Sequence, residues 1–202
     1  MPGRIVVLIS GTGSNMQALV TACRNDQVPG EVVAVLADRA CEGIEAARSE
    51  GIETLVLDSR GFATREDWSA CLRDLVLGFS PDLVVSAGFM RILSPVFVNA
   101  FTGRLINVHP SLLPEYPGAH AVSDALAAGA TATGTTVHFV DDLVDHGPTI
   151  LQQQVAVEDG DTEELLHERI KVVEHVLLPE ACRLILSGRV VLDGDRVKRT
   201  DQ

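Results

Sequence analysis

Short apolar runs alternate with stretches of helical spacing through the first half of the chain, the pattern of a parallel sheet whose strands are joined by helices. The runs predict strands over residues 4–10, 31–37, 53–57, 82–86 and 104–108. The periodicity between them predicts helices over 16–24, 42–50, 65–79 and 95–101. Thr64 followed by Asp67 is a variant of the capping box and marks the start of the third helix. Connections of this kind are right-handed by default.

Beyond residue 109 the pattern changes. Pro110, Pro114, Pro117 and Gly118 predict an ordered loop and residues 121–128 a short helix. The alternating stretch 133–140 predicts a strand whose partner is 149–157, paired antiparallel at the sheet edge. Asp161 with Glu164 opens the longest helical pattern, which runs to about residue 187 with Gly188 as its stop. Pro179 inside it predicts a kink or a break. Residues 190–198 predict a hairpin turning at Asp193-Gly194. The expected class is therefore α/β: a Rossmann-like, mostly parallel sheet wound with helices, with antiparallel edge strands in its second half and a C-terminal hairpin.

Composition narrows this picture. The 202 residues suit one domain, and a hydrophobic content of 46% with only 4% aromatic implies an aliphatic core, as buried parallel strands require. A formal net charge of -12 argues against nucleic acid as a partner, and an anionic substrate would need a local positive or amide-lined site. The first apolar run, Ile5-Val6-Val7-Leu8-Ile9, is too short for a signal-peptide core or a membrane span, and no later run is long enough to cross a bilayer, so a cytoplasmic location away from membranes is expected. Cys23, Cys41, Cys71 and Cys182 are scattered without a CxxC pair, which indicates reduced thiols and neither a metal site nor a disulfide framework.

The densest chemistry lies in Ile106-Asn107-Val108-His109-Pro110-Ser111-Leu112-Leu113-Pro114. Residues two apart on a strand share a face, so Asn107 and His109 point the same way, and Pro110 keeps His109 extended. A carboxamide and an imidazole thus converge beyond the carboxyl end of a strand, where open α/β sheets bind ligands. Either residue alone would read as a cap for loop backbone; the pair points to catalysis.

A second site is expected where the first strand runs into Gly11-Thr12-Gly13-Ser14-Asn15 and a helix, which aims backbone N–H groups at an anion. The dinucleotide fingerprint fails at its third glycine, which is Met16, and no Lys follows as in a P-loop. A single phosphate fits better than a pyrophosphate. Asp38, placed like a ribose ligand, reads as a surface loop residue. A third cluster, Gly134-Thr135-Thr136-Val137-His138-Phe139-Val140-Asp141-Asp142-Leu143-Val144-Asp145, runs from an alternating strand into an acidic loop. Taken alone that loop is a solvated turn, with spacing too irregular for calcium. Its functional reading needs a cationic partner, and His109 is the candidate: a carboxylate beside an imidazole favours the imidazolium, a charged donor suited to an oxyanion.

These segments, with Ala87-Gly88-Phe89-Met90-Arg91-Ile92-Leu93-Ser94, resemble in order and over nearly the whole chain the folate-dependent formyltransferases, and among them the glycinamide ribonucleotide formyltransferase family. The Asn-x-His-Pro-Ser-Leu-Leu-Pro stretch is shared with formyl hydrolases and methionyl-tRNA formyltransferases, whose additional domains a chain of this length has no room for. The resemblance implies formyl transfer from 10-formyltetrahydrofolate to the glycinamide amine, with Asn107, His109 and Asp145 as the catalytic set. It implies Gly11, Thr12, Gly13, Ser14, Asn15 and Glu174 around the ribonucleotide, and Arg65, Met90, Arg91, Ile92, Leu93, Asn107, Asp141, Val144 and Asp145 at the folate. The nucleotide-binding half would span about 1–105 and the catalytic and folate-binding half about 106–202. Small molecules are the expected partners, a homodimer being compatible with this, and no metal is required.

Two positions depart from the family pattern. His146 stands where glycine is common, adding a second titrating group to the acidic loop, and Val122 and Ser123 replace polar or basic residues after His120. Met90, Ile92 and Leu93 would, without a ligand, read as core residues at a strand exit, and Arg65 and Arg91 as surface charges. Three other classes are separable by simple tests. A formyl hydrolase would release formate without acceptor, a nicotinamide oxidoreductase would bind NAD tightly, and a non-catalytic nucleotide-binding module would have no use for Asn107, His109 and Asp145 together.

Overall fold

In the computed structural model, which describes residues 1–200, the apolar runs form one seven-stranded sheet. Its strands are β1 (Gly3–Ile9), β2 (Gly30–Ala37), β3 (Glu53–Val56), β4 (Leu83–Ser86), β5 (Leu105–His109), β6 (Ala132–Phe139) and β7 (Thr149–Ala156). Their spatial order is β3-β2-β1-β4-β5-β6-β7; the first five pair in parallel, and β6 and β7 are added by antiparallel pairing, β6 to β5 and β7 to β6. The sequence reading of an antiparallel edge is borne out. Order reverses between β1 and β4, and the crevice above their carboxyl ends is where such sheets bind ligands.

The unbroken run of β1 follows from its central place. Ile5, Val7 and Ile9 pack into a cluster with residues of α1 (Ser14–Arg24), α2 (Glu42–Ser49) and α6 (Glu163–Leu186), among them Met16, Leu19, Ile44 and Leu178. Val6 and Leu8 face the other side, with Trp68 and Leu72 of α3 (Arg65–Gly78) and Phe97 of α4 (Pro95–Val98). A strand covered on both faces has no position left for a polar side chain. The Thr64 cap is present: its hydroxyl accepts the Asp67 N–H at 3.1 Å. A short helix, α5 (Ala121–Ala127), precedes β6, and the chain ends in the hairpin of β8 (Val190–Asp193) and β9 (Arg196–Arg199).

Several expectations are corrected. The 95–101 helix divides into α4 and a 3₁₀ turn, Asn99–Phe101, and a second 3₁₀ turn, Ser59–Gly61, forms where Asp58 accepts the Arg60 N–H. Helix α6 starts on the Thr162 hydroxyl, while Asp161 instead clamps the Arg169 guanidinium at 2.8 and 2.9 Å. Pro179 does not break α6. The proline is itself buried, and Leu178, Ala181 and Cys182 beside it lock that turn into the core, which outweighs one missing hydrogen bond. Among the described residues no helix is long and apolar enough to cross a membrane.

Candidate active site

A cavity of about 610 Å³ opens above the carboxyl ends of β1, β4 and β5. Gly11, Thr12, Gly13 and Asn15 line one end of it, with Glu174 from α6. Here the chain turns from β1 into α1, whose first-turn N–H groups have no helical acceptor and are free for an anion. Gly13 adopts φ 74°, and a Cβ on it would approach Gly43 Cα at 3.0 Å and Met16 Cε at 3.1 Å. Gly13 is therefore glycine because of the packing behind the turn, whereas a Cβ on Gly11 would meet nothing within 4 Å. The Asn15 amide donates to Glu174 Oε2 at 2.7 Å while its Oδ1, buried, has no partner. Ser14 belongs to the turn but is not on the cavity wall.

At the cavity floor, Asn107 and His109 emerge from β5 on one face as expected. The loop after β6 returns Asp145 to them. Asp145 Oδ1 accepts Asn107 Nδ2 at 3.3 Å, Oδ2 lies 3.4 Å from His109 Nδ1, and Oδ2 also accepts the Gly118 N–H at 2.8 Å. The other ring nitrogen of His109, Nε2, donates to the Tyr116 carbonyl at 2.9 Å. Asp145 reaches this position through a left-handed backbone, φ 50°, and a Cβ on the nearby Gly147 would collide with the Phe139 carbonyl. Loop residues 110–118 are themselves pinned to the sheet: Thr136 Oγ1 donates to Ser111 O at 2.7 Å and accepts the Leu113 N–H at 3.1 Å.

His138, which the sequence reading passed over, completes the floor. It pairs opposite Asn107 across the β5–β6 register and is 2% exposed. Its Nδ1 donates to the Phe139 carbonyl at 2.8 Å, so Nε2 carries the lone pair and accepts Asn107 Nδ2 at 3.3 Å. Burial lowers the His138 imidazole below its usual pKa, against the smaller opposing pulls of the Phe139 carbonyl and Asp145, so the ring is neutral. Between them, a neutral acceptor and a carboxylate decide which end of the Asn107 amide is nitrogen.

The remaining wall is apolar. Met90, Ile92, Leu143 and Val144 line it and are more than half exposed, so they are not core residues. Leu93 also lines it, partly buried. Asp38 is corrected: it is not a surface residue but has no exposed side-chain area, and it takes Arg91 Nε at 2.8 Å and Arg39 Nη2 at 2.9 Å. Burial alone would raise its carboxyl, but hydrogen bonds from Arg39, Ser10 and Arg91 outweigh that and hold it below the usual range. Arg65, at the exposed start of α3, is not on the cavity wall. The acidic loop is divided in use: Asp145 turns inward, while Asp141 faces His146 Nδ1 at 2.7 Å and accepts the Leu143 N–H. Val122 is buried against Val155, Leu166 and Ile170 and also lines the cavity; the Ser123 hydroxyl merely caps the His120 carbonyl. His167 and Lys171 were also missed. They lie seven and three residues before Glu174 and line the same cavity, a spacing that puts all three on one helix face and was open to reading.

A carboxamide, an imidazole and a carboxylate above an α/β sheet, facing a phosphate-sized amide cradle across one cavity, fit acyl-type group transfer. Residues 3–182 match the formyl transferase family, and that is the class to which the chain belongs. Phosphoribosylglycinamide formyltransferase of Mycobacterium tuberculosis (strain CDC 1551 / Oshkosh) is 47% identical over 193 residues, 96% of this chain and 89% of that one. The Escherichia coli (strain K12) protein of the same name is 45% identical over 201 residues, 96% of this chain and 95% of that one. The crystal structure of glycinamide ribonucleotide transformylase 1 from Symbiobacterium toebii matches with a TM-score of 0.96 at 44% identity, covering 98% of this chain and 94% of that one. Within its class the chain is a member of the phosphoribosylglycinamide formyltransferase family.

Proposed function

We propose that this chain moves a formyl group from 10-formyltetrahydrofolate to the amine of glycinamide ribonucleotide, giving formylglycinamide ribonucleotide and tetrahydrofolate in purine biosynthesis. The observation that carries this reading is the return of Asp145 to Asn107 and His109 from a loop remote in sequence. The ribonucleotide phosphate sits on the amides of Gly11, Thr12 and Gly13 and the start of α1, with Ser14 behind them. Asn15 and Glu174 meet the ribose or glycinamide end. The folate lies along Met90, Arg91, Ile92, Leu93, Asp141 and Val144, with Arg65 a carboxylate partner only where the ligand extends beyond the cavity.

Amine attack on the formyl carbon builds negative charge on the formyl oxygen, and preorganised donors are worth most against charge that develops in a dry site. Asn107 Nδ2–H and His109 Nε2–H are those donors, the formyl oxygen displacing Tyr116 O from the imidazole and one of the amide's two acceptors, His138 Nε2 or Asp145 Oδ1, from Asn107. Asp145 holds the imidazolium and, through water, passes the proton lost by the attacking nitrogen to the leaving folate nitrogen. The reading places the work in the cytoplasm, on two small molecules.

The test is a steady-state assay of the purified protein with formyl folate, with and without glycinamide ribonucleotide. Deformylation that depends on the ribonucleotide and yields its formyl derivative is expected. Formate release at the same rate without ribonucleotide would overturn the reading in favour of a hydrolase.

A further inference from the structure

We propose that Asp38 is a positioning residue for the folate wall, holding the Gly88–Leu93 segment in its ligand-accepting shape through Arg91. The inference rests on the function proposed above for its kinetic part only. Phe89 stacks on Trp68 and Leu93 packs on the core, but Met90 and Ile92 between them are 64% and 58% exposed. Polar ties hold this exposed stretch. The Ser10 N–H donates to Gly88 O at 3.1 Å, the Met90 N–H donates to Ser10 Oγ at 2.8 Å, and Arg91 Nε donates to Asp38 Oδ2 at 2.8 Å. The side-chain tie at Arg91 therefore ends on one buried carboxylate at the end of β2, and Ser10, whose hydroxyl holds the Met90 N–H, helps keep that carboxylate charged.

Charge makes the arrangement sensitive. Arg39 and Arg91 share Asp38 Oδ2, so removing the carboxylate leaves two like charges facing each other. Asp38 touches no reacting atom. Its effect should pass to the folate through the shape of residues 88–93 and leave the Asn107, His109 and Asp145 cluster alone.

Two variants test this. Asp38→Ala removes the carboxylate that holds Arg91, and Asp38→Asn keeps the shape while losing the charge, which secures the test if the alanine variant does not fold. Amide hydrogen exchange of the free protein should quicken by about tenfold across residues 88–93, with β5 and β6 unchanged. In the formyl transfer assay the KM for formyl folate should rise by about tenfold, with kcat and the ribonucleotide KM within about twofold. Unchanged exchange at residues 88–93 in a folded variant overturns the proposal, as does quickened exchange with an unchanged folate KM. Should the native protein transfer no formyl group, the proposed function fails, while the exchange result still decides whether Asp38 braces this segment.

Discussion

Replacing Asp145 by asparagine changes one atom and sets donors against donors. In the native site Oδ2 faces both the Gly118 N–H and His109 Nδ1, while Oδ1 accepts from Asn107 Nδ2. An asparagine that keeps its oxygen toward Gly118 and His109 turns its NH2 onto the NH2 of Asn107. Turned the other way, its NH2 meets the Gly118 N–H. If Asn107 flips to relieve the first clash, its carbonyl confronts the lone pair of His138 Nε2, whose Nδ1–H is committed to Phe139. On the proposed mechanism, losing the carboxylate 3.4 Å from His109 Nδ1 weakens support of the ring as charge develops by about 1.5–3 kcal/mol, or about 10- to 150-fold in rate. A misdirected oxyanion donor costs about 10²–10³ in kcat, and because the groups act as a unit the two losses do not simply multiply. The expected fall in kcat is about 10³-fold, with both KM values little changed. Steady-state formyl transfer, followed by the absorbance of the deformylated folate alongside a thermal melt, measures it. A folded Asp145→Asn protein retaining kcat within about tenfold of native would refute the argument.

Three further outcomes follow from the geometry. Glu174→Gln should keep the hydrogen bond from Asn15 yet lose the charge beneath the ribonucleotide, raising the ribonucleotide KM by about tenfold and sparing the folate KM; equal changes in both would contradict the assignment. Gly147→Ala should lower stability by about 1–3 kcal/mol and kcat with it, since its Cβ meets the Phe139 carbonyl and the displaced loop carries Asp145; a variant with native Tm and kcat would show that the loop yields freely. His138 governs the third. An unfolded chain protonates this ring near pH 6.5, the folded chain only at lower pH, so in that window the unfolded state binds more protons and stability falls as pH falls. Melting curves from about pH 7 to about pH 5 should therefore drop more steeply for the native protein than for His138→Gln, and parallel curves would disprove it.

What could be read from the sequence divides by range of interaction. β1, β2 and β4 were legible because burial writes itself as a nearly uninterrupted aliphatic run, and the Asn107/His109 pair because two residues on one strand need no knowledge of the rest of the fold. The Asp145 partner was named through the family pattern; only the fold shows it reaching the imidazole. Asp38 and His138 were misjudged or missed for one reason. The arginine that buries Asp38 comes from the β4 loop, and the amide that gives His138 its purpose lies across an antiparallel register. β6 illustrates the same limit: its threonines suggest a half-solvated strand, yet Thr133, Thr135 and Thr136 are fully buried, the last against the proline loop. At Pro179 the break that the local rule allows does not occur, because the core around it holds the helix together.

The left-handed backbone at Asp145 sets natural selection a conflict at a single codon. For any residue but glycine, that conformation costs of order 1 kcal/mol or more, so a mutation to glycine would relax the turn and toughen the fold against heat. The same mutation would delete the carboxylate. On the function proposed above, a lineage screened for endurance alone would drift toward that glycine and surrender turnover.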